Sequence, residues 1–167
     1  FASGTASILT TGTTGAVSTV SLIAFGNNAD GVVPLPGGNL DLTGTISGPL
    51  LNMSFSMPRA GTLTSLRAFF SATASNGSAG NVVTVQAQLY QSTTPNNIFS
   101  PIPGTLIILA PAYTLPVSLG AVSTGAASFS IAVTDQTSLV LVFSITATGT
   151  SVVNILDGYA SACLNIV

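Results

Sequence analysis

The run Ser138 to Ala147, SLVLVFSITA, is apolar on both faces of an extended chain. With the two-residue period of a strand, Leu139, Leu141, Phe143 and Ile145 point one way and Val140, Val142 and Ser144 the other. An antiparallel sheet in a small domain usually gives one face to water. This run therefore predicts a central strand covered twice, its second face meeting either a packed sheet or another copy of the chain. Elsewhere the alternation is one-sided. Val83, Val85, Ala87 and Leu89 alternate with Thr84, Gln86, Gln88 and Tyr90 within residues 81–91, and Phe129, Ile131 and Val133 face inward within 127–133. In residues 49–57, Leu51, Met53, Phe55 and Met57 oppose Asn52, Ser54 and Ser56, which predicts another strand.

The remaining segments read as shorter or weaker strands. Residues 16–25 form a first firm strand, 39–43 a short one, and 62–73 a long one joined to 81–91 through Asn76 and Gly77 as a hairpin. Two short strands follow at 105–110 and 113–120, and residues 151–167 form one or two strands broken near Asp157 and Gly158. GNNADG reads as a turn, and 32–38 and 92–104, rich in proline, read as loops. Residues 1–15 are a Ser, Thr and Gly-rich lead-in, and 16–167 a single β-sandwich domain. About eight to ten strands with no helical period and no fixed repeat predict an all-β antiparallel sandwich, with a jelly roll as the best single architecture.

Composition narrows the partners. Of 167 residues only six are charged (Asp30, Asp41, Asp135, Asp157, Arg59 and Arg67), so Gly, Ser, Thr and Asn must solvate the surface. With no Lys, no His and a net charge of -2, the chain cannot neutralise a run of phosphates, which argues against nucleic acids and anionic membranes. No apolar run approaches the ~18 residues of a membrane helix. Cys163 is alone and reads as a small buried hydrophobe, since no His or Lys is present to activate it.

Several stretches resemble a known family: FASGT at the start, GNNADG, LDLTG, SFSMPRAGTLTSLRAFFS, VQAQLYQSTTPNNIFSPIPG, VFSITATGTSVVN and GYASA. They are similar to the C-terminal domains of BclB-related, BclA-like exosporium glycoproteins, which are collagen-like proteins of spore-forming bacteria. The resemblance implies a jelly roll of the tumour necrosis factor and complement type that assembles as a homotrimer on the spore surface. It also implies a collagen-like stalk before Phe1, although no Gly-X-Y repeat occurs in this sequence. Joining three stalk chains at one end would lower the entropic cost of bringing them into register. The second face of the 138–147 strand, Val140, Val142 and Ser144, is then the expected trimer contact.

Candidate chemistry is sparse. Without His, Ser-His-Asp and Cys-His catalysis are excluded, as is any zinc site needing imidazole. Asp30, Asp135 and Asp157 read as turn formers. Asn27, Asn28 and Asp30 are the one weak candidate for calcium, which needs closely spaced oxygens. Arg67 shares a predicted face with Leu63 and Phe69, so a partly buried guanidinium paired with an Asp or with carbonyls stands beside the alternative of a snorkelling surface Arg. Two functions remain: a non-catalytic trimerising head that nucleates a stalk and forms the outer knob of a filament, or an adhesin module that binds host glycans or matrix through Tyr90, Tyr113 or Tyr159. No cofactor is expected.

Overall fold

The computed structural model describes residues 1–44, 50–94 and 96–167. It is all-β, with thirteen strands and one short 3-10 turn at Leu50–Met53 among the described residues. The strands are β1 (Ser7–Thr11), β2 (Val17–Ile23), β3 (Asn28–Val32), β4 (Leu40–Asp41), β5 (Phe55–Ser56), β6 (Gly61–Asn76) and β7 (Val82–Ser92). There follow β8 (Ile98–Pro101), β9 (Ile107–Ile108), β10 (Tyr113–Thr114), β11 (Val122–Val133), β12 (Ser138–Thr148) and β13 (Ile155–Ile166). They form an open antiparallel sheet in the order β11-β6-β13-β1-β2-β12-β7-β8-β4, with β3, β5, β9 and β10 attached beside it.

The sheet doubles back at β2. Thr19 pairs with Thr10 of β1, whereas Ser21, Leu22 and Ile23 pair with Phe143, Val142 and Leu141 of β12, so one strand serves two stretches of sheet. The result is that β6 and β13 lie across a common core from β7 and β12. Leu63, Leu66 and Phe70 of β6 and Leu156 of β13 share one buried cluster with Val85 and Leu89 of β7 and Leu141, Phe143 and Ile145 of β12. The Phe70 ring sits 6.3 Å from Phe143 and 6.4 Å from Tyr113. Phe70 also occupies the space that a side chain at Gly158 would need, so the close approach of β13 to β6 requires glycine there.

The strand 138–147 is central, as its pattern predicts, and both faces are covered over Leu139 to Phe143. Its second face is covered by the same chain. Val140 and Val142, 0% and 3% exposed, pack in a second cluster with Val20, Leu22, Val32, Leu40, Leu42, Met53 and Phe99. The cover comes from β3 and β8, which lie in stretches that read as turn and loop from sequence, and from β4 and the 3-10 turn, which lie in stretches that read as strands. Val140 and Val142 therefore have no surface left to offer another copy of the chain, which corrects the expected trimer contact at these two positions; Ser144, past the end of the cover, is half-buried.

Other expectations change for local reasons. Strands 62–73 and 81–91 exist as β6 and β7 but do not pair with each other: β6 bonds to β11 and β13, and β7 to β8, β9, β10 and β12. Both are one-sided, and they bury their apolar faces against each other across the core instead of side by side. The lead-in 1–15 contains β1, which lies between β13 and β2. In the 49–57 stretch, Pro49 lies outside the described residues; Leu50–Met53 turn as 3-10 and only Phe55–Ser56 extend. Asp157 and Gly158 do not break the last strand, which runs on through both.

Candidate functional site

The outer face of β11, β6 and β13 is the broadest uncovered stretch of sheet, and strand register places its residues in rows. Val122, Ser71 and Tyr159 form one, Thr124, Phe69 and Ser161 the next, and Ala126, Arg67 and Cys163 a third. Phe69, Val122 and Tyr159 are 40%, 46% and 51% exposed. The three make an exposed apolar triangle on the sheet face, edged by Ser and Thr. Around Arg67 the small side chains of Ala126, Ser161 and Cys163 leave a shallow hollow of about 590 Å³.

Arg67 is exposed and has no carboxylate opposite it in either neighbouring strand, only Ala126 and Cys163. The guanidinium is therefore not buried as the alternation implied, and no ion pair holds it among the described residues. The cause is a register shift: the pairing of β6 slips between Leu63 and Ser65 against both neighbours. Leu63 and Leu66 both point inward as a result, and the phase of alternation inverts, turning Arg67 and Phe69 outward. Cys163 follows the same phase and is exposed, not buried.

The calcium candidates are brought together, but their oxygens already have partners. Asp30 Oδ1 accepts from Ser21 Oγ at 2.6 Å, and Asp30 Oδ2 accepts from Asn28 Nδ2 at 3.0 Å. Asn28 Oδ1 accepts from the backbone N–H and the hydroxyl of Thr5, and Asn27 Oδ1 from the Asn28 N–H. This is a hydrogen-bonded corner tying β2 and β3 to the chain start. Among the three tyrosines, Tyr113 is buried with its hydroxyl 3.1 Å from the Phe70 carbonyl and 3.0 Å from Ser123 Oγ, so it cannot stack on a ligand. Tyr159 lies on the open face. Tyr90 is buried at one end of a cleft above β7 and β12, which Ser144 also lines.

Two features escaped the sequence reading. Phe25, 71% exposed, stacks on Phe1 with centroids 5.2 Å apart, and Phe55 tilts against both. The three come from distant parts of the chain, so no local pattern announces them. The second is the pair Gln86 and Gln88, which alternation places outward but which the chain partly covers.

Few groups titrate abnormally. Burial raises the Asp157 carboxyl above the usual range, and the negative charge of Asp30 raises it further; Asp157 Oδ1 is buried with no hydrogen-bond partner among the described residues. Hydrogen bonds from the Thr43 side chain and N–H lower the exposed Asp41. Burial raises Tyr90 and Tyr113 above 10.0. A raised pKa in the folded chain means stability present below the unfolded value and lost as pH rises through the folded one. Asp157 therefore favours the fold in mild acid, Asp41 opposes that trend, and the tyrosines cost stability above about pH 10. Thermal melts should show a plateau between about pH 6 and 9 and a fall above 10, and Asp157→Asn should remove the acid-side gain. A steep change inside the plateau would contradict this assignment.

No family model matches the chain. Over 94 residues, 56% of its length, it is 32% identical to Collagen-like protein 1 of Acanthamoeba polyphaga mimivirus. The chain spans only about a tenth of that protein, 10% of its length.

Proposed function

We propose that this chain is a non-catalytic head domain of a collagen-like surface protein, and that it joins three copies of itself through the outer face of β11, β6 and β13. The observation that carries the reading is the exposed triangle of Phe69, Val122 and Tyr159, on a sheet face whose charges are Arg67 and, toward one end of β13, Asp157. Likeness to part of a collagen-like protein supplies the context, and a three-chain stalk calls for a three-fold partner. A jelly roll is the topology this assembly would use, with β11-β6-β13-β1 facing β2-β12-β7. On the resemblance to exosporium glycoproteins, the head forms the outer knob of a filament on the spore surface.

Sedimentation of the isolated chain tests the reading. The expected mass is three times the 16.6 kDa of one chain. Phe69→Asp and Tyr159→Asp should each give single chains with intact β circular dichroism, because a charge at the centre of an apolar contact costs several kcal/mol there and little on a free surface. Cys163, on the same face, should react with a thiol reagent faster in those variants than in the parent. A 16.6 kDa parent at micromolar concentration, or variants that stay trimeric, would overturn the proposal.

A further inference from the structure

The outer face of β7 and β12 is covered over only part of its length. Gln86, Gln88 and Tyr90 alternate along β7 opposite Ser144, Val142 and Val140 of β12. The Tyr90, Val140 and Val142 end is sealed by the second cluster. At the Gln86, Gln88 and Ser144 end the cover stops, leaving a cleft of about 590 Å³ walled by Val33, Pro34, Leu35 and Leu106. That volume falls in the ~300–1,000 Å³ range of small-ligand clefts.

The polar floor is incompletely used. A glutamine amide offers two donors and two lone pairs. Gln88 spends one donor on a long bond of 3.4 Å to the Ile102 carbonyl, and Gln86 makes no side-chain hydrogen bond among the described residues. Both are half-buried, which limits how freely water can serve them. None of the six charged residues lines the cleft, so an ionic ligand would lose hydration with nothing to replace it. Beneath the cleft β7 and β12 pair with each other, and β9 pairs with β7 at Gln86, so an extended peptide finds no free backbone edge between the amides and Ser144 on which to add a strand.

From this arrangement we infer that the cleft binds a neutral saccharide. Hydroxyls that both donate and accept match the two amides and Ser144, and the C–H face of a pyranose ring matches the aliphatic walls of Val33, Leu35 and Leu106. The cleft lies within one chain, on the opposite side of the core from the proposed assembly face, so its binding does not depend on trimer formation.

The test is a ¹H–¹⁵N titration of the full chain with methyl glycosides of neutral hexoses and N-acetylhexosamines, with N-acetylneuraminic acid and a neutral tripeptide as comparisons. The expected result is millimolar binding of at least one neutral glycoside, with shifts at the Gln86 and Gln88 side-chain amides and the backbone of residues 33–38. Gln86→Leu, whose side chain makes no internal bond that folding needs, should weaken that binding about tenfold, while its melting temperature stays close to the parent's. Three results would each overturn the inference: no neutral glycoside shifting these signals, equal binding by Gln86→Leu, or tighter binding in the same cleft by the charged sugar or the peptide. Sedimentation on the same samples reports assembly separately, so failure of one proposal is distinguishable from failure of the other.

Discussion

Val142→Asp is expected to abolish folding of the single chain, not merely its assembly. Val142 is 3% exposed and lies beneath the cover of β3, β4 and the 3-10 turn, among Val20, Leu22, Leu40, Leu42 and Met53. A carboxylate there loses its water and finds no cation: the two arginines are exposed elsewhere, and Arg67 lies on the other side of the core. The cost is several kcal/mol for the unpaired charge, plus the lost burial of the valine, against a typical total stability of about 5–15 kcal/mol. Val142→Ala, which only opens a small void, should cost about 1–3 kcal/mol and leave a cooperative transition. Circular dichroism with chemical denaturation separates these outcomes. A Val142→Asp chain that is folded but monomeric would return β12 to the interface and undo the placement of its second face.

That placement also marks where the sequence stops being legible. The two-sided run 138–147 announces double coverage, because side-chain period alone reports how many faces are apolar. It does not report what lies on the second face. The covering pieces are two- to five-residue strands and a 3-10 turn, interrupted by Pro34, Pro36 and several glycines; β3 and β8 are too short to carry a periodic signal, and the alternation in 49–57 suggests a strand where the chain turns at Leu50–Met53. The same limit explains β1: five residues rich in Thr and Ser gain strand structure from pairing between β13 and β2, a tertiary effect that local propensity does not contain.

Arg67 illustrates a second limit. Its inward placement follows from counting by twos from Leu63, and the count is correct until the pairing slips near Ser65. This irregularity inverts the positions from Leu66 to Ala72, until a second slip near Thr73, which brings Phe69 to the surface and with it the proposed assembly face. The hairpin expected between β6 and β7 fails for a related reason. Residues 77–81 were read as a turn between neighbours in one sheet, but the chain uses them to cross the core. What holds that crossing is Asn81, whose side chain is buried, together with Gly77, where a Cβ would overlap the Asn154 amide and Leu115.

Asn81→Ala should therefore be among the most destabilising polar substitutions in the molecule. Its Nδ2 donates to Asn154 Oδ1 at 2.9 Å and to the Thr150 carbonyl at 3.1 Å, while its Oδ1 accepts from the Thr150 N–H at 2.7 Å. Asn154 continues the network: its backbone N–H donates to Thr11 Oγ1 at 3.0 Å, and its Nδ2 donates to the same oxygen and to the Val152 carbonyl. Three separate connections, the β6–β7 crossing, the β12–β13 loop and the end of β1, are thus held by two amides. Gly149, at φ 125°, packs so closely on Asn81 that a Cβ would overlap its side chain, so the loop is shaped to this residue. Removing the amide strands several buried donors and acceptors, each worth about 1–3 kcal/mol when left unpaired. A total loss of about 3–5 kcal/mol follows, which for a chain of this size lowers the melting temperature by roughly 10 °C or more. Asn76→Ala, at an exposed position beside the same turn, should change stability by no more than about 0.5 kcal/mol. Denaturant melts of the two variants make the comparison. If Asn81→Ala matches Asn76→Ala, the crossing is held by packing of the flanking strands alone; if it falls well below, two buried amides set where the chain changes sides.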